Sequence, residues 1–437
     1  MAHLLSVTSE AYRRFRQPLT DLLAQADHQR SCPVLGDHDW IDTGLLRVLG
    51  NEASGRAFLE DLLNQSDGKL GLDPGQFFDA LKSPRRRKHL RGLLDDLLAA
   101  TPRDHPTHPG PALLPCLDDF EIFAGDGHFH AAASHDQRDA KDRKTAVGHL
   151  YTLNLRNFTA NHLALSNRKA PLGSGKTSKS HDMTVLKSLD RNLLRQGAPK
   201  GRKVLIIWDK AGIDFAQWQK WKQGGGLYFL SLEKDNMRPV GPAPMEFDKQ
   251  DPINEGVISD ELAGYGPGVM MRRVTYQCPE TGRKLVFLTS LNDSKKFPPG
   301  LIAQLYRMRW DIEKIFDVFK NKLFETKAWG SAPIAREMQA LFITLTHNLL
   351  DRFEESISTE EKLDDPTHAK RMKARLEAAK EKAAKFGKRL PKLYEDWQRI
   401  KQIGVTFIRW FRAQIFKSTS WAQSLALLRQ TYDTFKV

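Results

Sequence analysis

At 437 residues the chain has room for two or three domains and a substantial buried core. Its 40% hydrophobic and 27% charged residues are ordinary for a soluble protein, but 67 Lys and Arg against 53 Asp and Glu leave a formal charge of +14. That surplus favours a polyanionic partner, nucleic acid before anionic membrane. Cys32, Cys116 and Cys278 are odd in number and far apart, which argues against a disulfide framework or a Cys-ligated zinc site. No apolar run approaches the ~20 residues a membrane helix needs. The N-terminus MAHLLSVTSEAYRRF lacks a signal-peptide core. A cytoplasmic protein with no membrane partner is expected.

Residues 1–110 show helical apolar spacing, as in RAFLEDLLNQ and LRGLLDDLLAA. Between these, SPRRRKHLR sets Pro84 to open a helix. Its cations Arg85, Arg86, Arg87 and Lys88 read equally as a phosphate grip and as a solvated charge run. TPRDHPTHPGP, residues 101–111, is predicted as a linker. FEIFAGDGHFHAAAS is predicted as a strand ending at Asp126, and GHLYTLNLRN as a strand of alternating character. APLGSGKTSKS, residues 170–180, imitates a phosphate loop. It has Ala170 where that loop needs Gly and no buried strand leading in, so a flexible loop around Lys176 and no nucleotide are expected. VLIIW is an apolar run typical of a strand buried on both faces, followed by Asp209. A carboxylate there sits at a strand's carboxyl end, where α/β sheets place their sites.

From 213 to 299 the pattern is β-rich, with LYFLSLEKD and the hairpin-like pair VMMRRVTYQ and KLVFLTSL. Arg272 and Arg273 alternate faces, so one of them, taken as Arg272, is expected to reach DNA. A continuous helix is predicted from Pro299 to about Leu323, then a core helix in REMQALFITLTHNLL. Residues 354–437 are helical and basic, with 12 Lys and Arg against 4 Asp and Glu between 366 and 402.

The helix around LYRMRWDIEKIFDVFK carries the sharpest pattern. At ~100° per residue and with Tyr306 at zero, Arg309 falls near 300°, Glu313 near 340° and Lys320 near 320°, an arc of about 60°. The apolar set Leu305, Met308, Ile312, Ile315, Phe316, Phe319 and Leu323 adjoins that arc. The charges therefore border the core stripe, where a carboxylate can lean over a sheet edge toward Asp126 and Asp209.

Tyr306, Arg309, Glu313 and Lys320, spaced by two, three and six residues, resemble the Tyr-Arg-Glu-Lys signature of one branch of DDE-type bacterial insertion-sequence transposases. Asp126 after FEIFAG and Asp209 after KVLIIW stand where that family's aspartates follow the first and fourth strands. The intervals are 83 residues from Asp126 to Asp209 and 104 from Asp209 to Glu313. The second is long enough for the β insertion that this branch carries.

The resemblance implies an α/β protein. A ribonuclease-H-like core (115–212 and 300–350) would hold a β-rich insertion (213–299). Helical regions (1–110 and 354–437) would flank it, the first a candidate for binding DNA ends, the second for binding DNA or dimerising. It further implies a transposase that nicks and joins DNA at terminal inverted repeats and target DNA, commonly through a hairpin. Asp126, Asp209 and Glu313 would be catalytic and hold two Mg²⁺ ions, with Mn²⁺ as a substitute. Tyr306, Arg309 and Lys320 would position DNA, a homodimer would pair the ends, and the protein would sit with the bacterial nucleoid. Flipping of one base onto an aromatic is expected, with Trp218, Trp221 and Tyr228 as candidates. His128, His130 and His135 follow Asp126 where relatives often have small residues. One is expected to hydrogen-bond Asp126 and none to hold zinc. A DNA-binding relative without activity, and a nuclease without strand transfer, are the rival readings.

Overall fold

The computed structural model describes residues 8–24, 35–50, 52, 54–70, 72–108, 110–138, 142–166, 182–266, 268–397 and 402–435. Cys32 and the Gly/Ser-rich 170–180 segment lie outside them.

Among the described residues, nine strands form a single sheet: β1 (Phe120–His130), β2 (Val147–Asn154), β3 (Ala160–Leu165), β4 (Lys203–Ile207), β5 (Leu227–Leu232), β6 (Val240–Pro244), β7 (Val257–Gly264), β8 (Met270–Gln277) and β9 (Lys284–Thr289). Their spatial order is β3-β2-β1-β4-β5-β9-β8-β7-β6. β1, β4 and β5 run parallel, and every other neighbouring pair is antiparallel. The first five strands are consistent with a ribonuclease-H-like core. The β-rich stretch continues the same sheet through the β5–β9 pair, Leu230 opposite Thr289. β5, which falls inside the expected 213–299 insertion, pairs with β4 from Val204↔Leu227 to Ile207↔Leu230.

Side chains alternate across the sheet, as strand geometry requires. Phe120, Ile122 and Ala124 of β1, with Leu205 and Ile207 of β4, face one core; Phe123, Val204, Ile206 and Trp208 face the other. The first core continues into both helical flanks, from Ala11 to Tyr432. The long helix Pro333–Glu360 packs on β3 and on the N-terminal helices Asp37–Leu49 and Pro84–Ala100.

Four expectations are corrected. β1 runs on past Asp126 to His130. β2 is buried at all eight positions, because helices cover one face and the second core the other. The 101–111 stretch is packed rather than linking: His105 N donates to Arg156 O at 3.0 Å, and Arg156 Nη1 to Asp104 Oδ1 at 2.6 Å. The predicted 299–323 helix breaks at Arg309 into Pro299–Met308 and Trp310–Asn321. There the bonds tighten to i→i−3, Arg309 N to Tyr306 O at 3.0 Å and Ile312 N to Arg309 O at 3.1 Å.

Candidate active site

The β1–β4 register brings the two aspartates together. Phe120 lies beside Lys203 and Ala124 beside Ile207, a constant offset of 83 residues. Asp126 and Asp209 share that offset two residues past the end of the ladder, and the Asp209 charge is felt at Asp126. Asp209 has just left its strand and caps the turn Lys210–Gly212, its Oδ1 accepting from Ala211 N at 2.8 Å. Ser231 Oγ donates to the Asp209 carbonyl at 2.8 Å. The indole of Trp208 fills the space against Gly125 and Gly212. A Cβ on Gly125 would lie 1.9 Å from Trp208 Cζ3, and one on Gly212 2.5 Å from Cδ1. Glycine at both positions lets the ring wedge behind the aspartate pair.

The helix Trp310–Asn321 packs over β1 on the Asp126 face. Arg309, at its break, donates Nη1 to Asp126 Oδ2 at 2.6 Å and Nη2 to Glu313 Oε1 at 3.0 Å. One guanidinium thus ties residues far apart in sequence. Tyr306 is buried against Phe287, with ring centroids 5.2 Å apart and the Arg309 guanidinium 5.6 Å from its own ring.

The electrostatics show crowding of like charge. Burial pushes the Asp126 carboxyl up to about 6. Arg309 and the Gly127 N–H, which donates to Oδ1 at 2.8 Å, oppose the shift, and the Asp209 and Glu313 charges add to it. Burial also raises the Tyr306 phenol, against Arg309 and with the help of Asp209 and Asp126. For Arg309, burial works against the charge, but Tyr306, Asp126 and Glu313 more than offset it and raise the guanidinium.

Three carboxylates on separate elements make an all-oxygen donor set, which suits hard divalent cations. Asp126 is 20% and Glu313 39% exposed in the side chain, so solvent and a phosphate can approach.

The other expected residues fall as follows. Lys320 is exposed on the same helix. Arg272 is fully buried: it pairs with Asp260 through Nε at 2.8 Å and Nη2 at 2.7 Å, and Nη1 donates to the Leu291 and Phe297 carbonyls. That corrects the expectation that it reaches DNA, since its donors are spent on the fold. Arg273 is held by Glu233 and Glu261. The basic run turns partly inward. Arg85 makes a bidentate pair with Asp37, Arg86 donates to Leu35 O at 2.6 Å, Arg87 pairs with Glu337 at 3.0 Å, and Lys88 is exposed. Trp218 and Trp221 stack on Phe229 inside the second core, and Tyr228 packs edge-on against Phe120.

The histidines depart from expectation. His128 does not bond Asp126; its Nε2 lies 3.3 Å from Glu325 Oε2 and its ring stacks on Phe316. His130 reaches His149, and His135 is exposed. Sequence reasoning assigned no role to Trp310, which is 54% exposed beside Arg309. Its signal was an aromatic standing between charges on a helix whose other aromatics face the core.

Residues 120–349 match the family model described as the transposase DDE domain, and the chain belongs to that family. Among curated proteins none matches the sequence. The family makes the chain a DNA-binding transposase, an enzyme of mobile DNA, and DDE transposases use a divalent metal. Among the described residues no helix is long and apolar enough to cross a membrane.

Proposed function

We propose that Asp126, Asp209 and Glu313 are the centre that cuts and joins DNA at the ends of an insertion sequence. The observation that supports this reading is that Arg309 bonds both Asp126 and Glu313 while the Asp209 and Glu313 charges both raise the Asp126 carboxyl. Two Mg²⁺ ions held there, or Mn²⁺ in their place, would relieve charge on the attacking and leaving oxygens of a phosphodiester. Asp126, Asp209 and Glu313 would be the residues that hold these ions.

The chain's own groups do the positioning. Arg309 holds Asp126 and Glu313 in mutual register, and its planar fork also suits a phosphate once the carboxylates have other partners. Lys320, exposed about three turns further along the helix, offers a point charge to the strand. The Tyr306 phenol stays protonated and supplies a hydrogen-bond donor. Trp310, exposed and next to Arg309, offers a stacking face for a base turned out of the duplex.

The reaction sequence we favour begins with a nick at the element end. The freed 3′-hydroxyl then attacks the opposite strand to close a hairpin, and integration follows. The basic helix Pro366–Lys385 and the half-exposed Arg85 and Arg87 supply further phosphate contacts, and pairing of two ends calls for a homodimer.

The test uses DNA carrying the inverted repeats that bracket this gene. With Mg²⁺ the wild type should nick at the repeat boundary and yield hairpin ends, while Asp126→Asn binds the same DNA without cutting it. Cleavage by the variant would overturn the assignment. Nicking without any joined product would leave a nuclease on the same core.

A further inference from the structure

The geometry points to a second, buried metal site: His130, His149 and Glu325, with His128 as a fourth donor, bind one zinc-like transition-metal ion beneath the helix that carries Glu313. The site is separate from the Asp126, Asp209 and Glu313 cluster and does not depend on the function proposed above.

Three kinds of observation support it. The first is placement. His130 Nε2 lies 3.0 Å from His149 Nε2 and 3.9 Å from Glu325 Oε1, and the three ligand atoms all fall within 4.8 Å of one another. Tetrahedral zinc with Zn–N bonds of ~2.0–2.1 Å sets its ligand atoms about 3.3 Å apart. The His130–His149 pair needs to open by only about 0.3 Å and the His130–Glu325 pair to close by about 0.6 Å to reach that spacing.

The second is the state of the remaining polar atoms. Histidine ligands to a metal normally have their other ring nitrogen fixed by a partner. His130 Nδ1 faces the Ala131 carbonyl at 3.0 Å. A carbonyl can only accept, so Nδ1 carries the hydrogen and Nε2 presents a lone pair. His149 Nδ1 is 3.0 Å from His162 Nε2, and Tyr151 donates its hydroxyl to Glu325 Oε1 at 3.0 Å. Two further atoms, His128 Nε2 and Glu325 Oε2, are buried and make no hydrogen bond, although they lie 3.3 Å apart.

The third is charge. The Glu325 side chain is completely buried. Among the described residues its only ion-pair partners are His128 and His130, with no Lys or Arg. Burial holds both His130 and His149 toward their neutral forms, which are the forms that bind metal. With no Lys or Arg pairing Glu325, a divalent ion would supply positive charge to this buried cluster. The imidazole donors select zinc or a neighbour over magnesium. A set closed on all sides by protein is the structural kind of zinc site, with no position left for substrate.

Such an ion would link β1, β2 and the segment that follows the Glu313 helix. That segment already bonds the end of β1, with Ala131 N donating to Thr326 O at 3.1 Å and Ala328 N to Ala131 O at 2.9 Å. The ion would thus clamp the helix bearing Glu313 onto the strand bearing Asp126.

The experiment uses untagged full-length protein without DNA. Metal content is measured by mass spectrometry for the wild type, for an Asp126→Asn/Asp209→Asn/Glu313→Gln triple variant, and for His149→Asn and Glu325→Gln. Stripped protein is then titrated with Zn²⁺, and with Co²⁺ to read the visible bands of a four-coordinate ion. The expected result is one tightly held zinc per chain in the wild type and the triple variant, with affinity lowered about 10–100-fold or more in the other two. Zinc lost in the triple variant, or kept unchanged in His149→Asn, overturns the proposal. Should His149→Asn fail to fold, the wild type decides alone: no four-coordinate Co²⁺ spectrum and no zinc-dependent rise in Tm also overturns it. Loss of all metal uptake in the triple variant would still leave the proposed DNA cleavage standing.

Discussion

Replacing Asp126 with Asn should stabilise the metal-free protein while abolishing cleavage. The Asp126 carboxyl rises from 3.8 to about 6, chiefly through burial, with Asp209 and Glu313 adding to it. Each pKa unit corresponds to 1.36 kcal/mol, so the ionised side chain carries a penalty of at most about 3 kcal/mol. Partial exposure screens some of this, and the amide oxygen can still accept from Arg309, so a net gain of about 1–2 kcal/mol is expected. The sign follows from linkage. Below about pH 4 both folded and unfolded chains hold the proton and there is no penalty. Between about 4 and 6 only the folded chain holds it, and that contribution is lost as pH rises through the folded value, so the penalty is complete above about 6. The stability gap between variant and wild type should therefore be near zero at pH 4 and full at pH 7.5. For a chain of this length, an unfolding entropy of ~2.1 cal/mol/K per residue converts the gain to a Tm rise of about 1–2 °C. The assay is thermal unfolding in chelator at the two pH values, repeated with Mg²⁺, where the wild type should gain and the variant should not. A variant less stable than wild type in chelator at pH 7.5, or a gap that does not change with pH, would refute the reasoning.

Arg272→Ala leaves Asp260 charged and buried without a partner, so it should cost about 3–5 kcal/mol, seen as a lower Tm and less soluble protein. The salt dependence of DNA binding by whatever folds should not change. Gly125→Ala drives a methyl group into the Trp208 ring; a loss of about 1–3 kcal/mol is expected, together with slower cleavage at unchanged DNA affinity, because the ring wedges behind both aspartates. Arg309→Lys keeps the charge but cannot hold Asp126 and Glu313 at once, so single-turnover cleavage should fall about 100-fold while the protein stays folded. Neutralising Lys370 and Arg371 on the basic helix should each reduce the slope of log affinity against log salt by about one.

Much of the site was legible because its geometry is local or periodic. A buried apolar run followed by a carboxylate marked Asp209, and the interval of 83 residues reappears as the offset between β1 and β4. Helical spacing set Arg309 and Glu313 one turn apart, the distance at which they pair. What escaped depended on partners distant in sequence. Nothing near Arg272 announces Asp260 across the β7–β8 pair, and strand alternation fixed only that Arg272 and Arg273 point opposite ways. Arg85 and Arg87 find carboxylates 48 and 250 residues away. The histidines were seen as neighbours of Asp126, but their true partners, His149 and Glu325, come from another strand and from beyond the helix. The break at Arg309 was hidden because no Pro or Gly marks it.

That break has a plain use in the proposed centre. Three carboxylates gathered in a half-buried place repel one another, and the apo fold has to tolerate them. Arg309 neutralises two of the three with one side chain, and Asp126 relieves more by holding its proton up to about pH 6. Both remedies are incomplete, since one guanidinium against three acids leaves a deficit of positive charge. A DNA phosphate entering such a cluster alone would deepen that deficit. Divalent cations held by these carboxylates would lift that deficit, and Arg309, freed from them, could then turn its donors to the DNA strand.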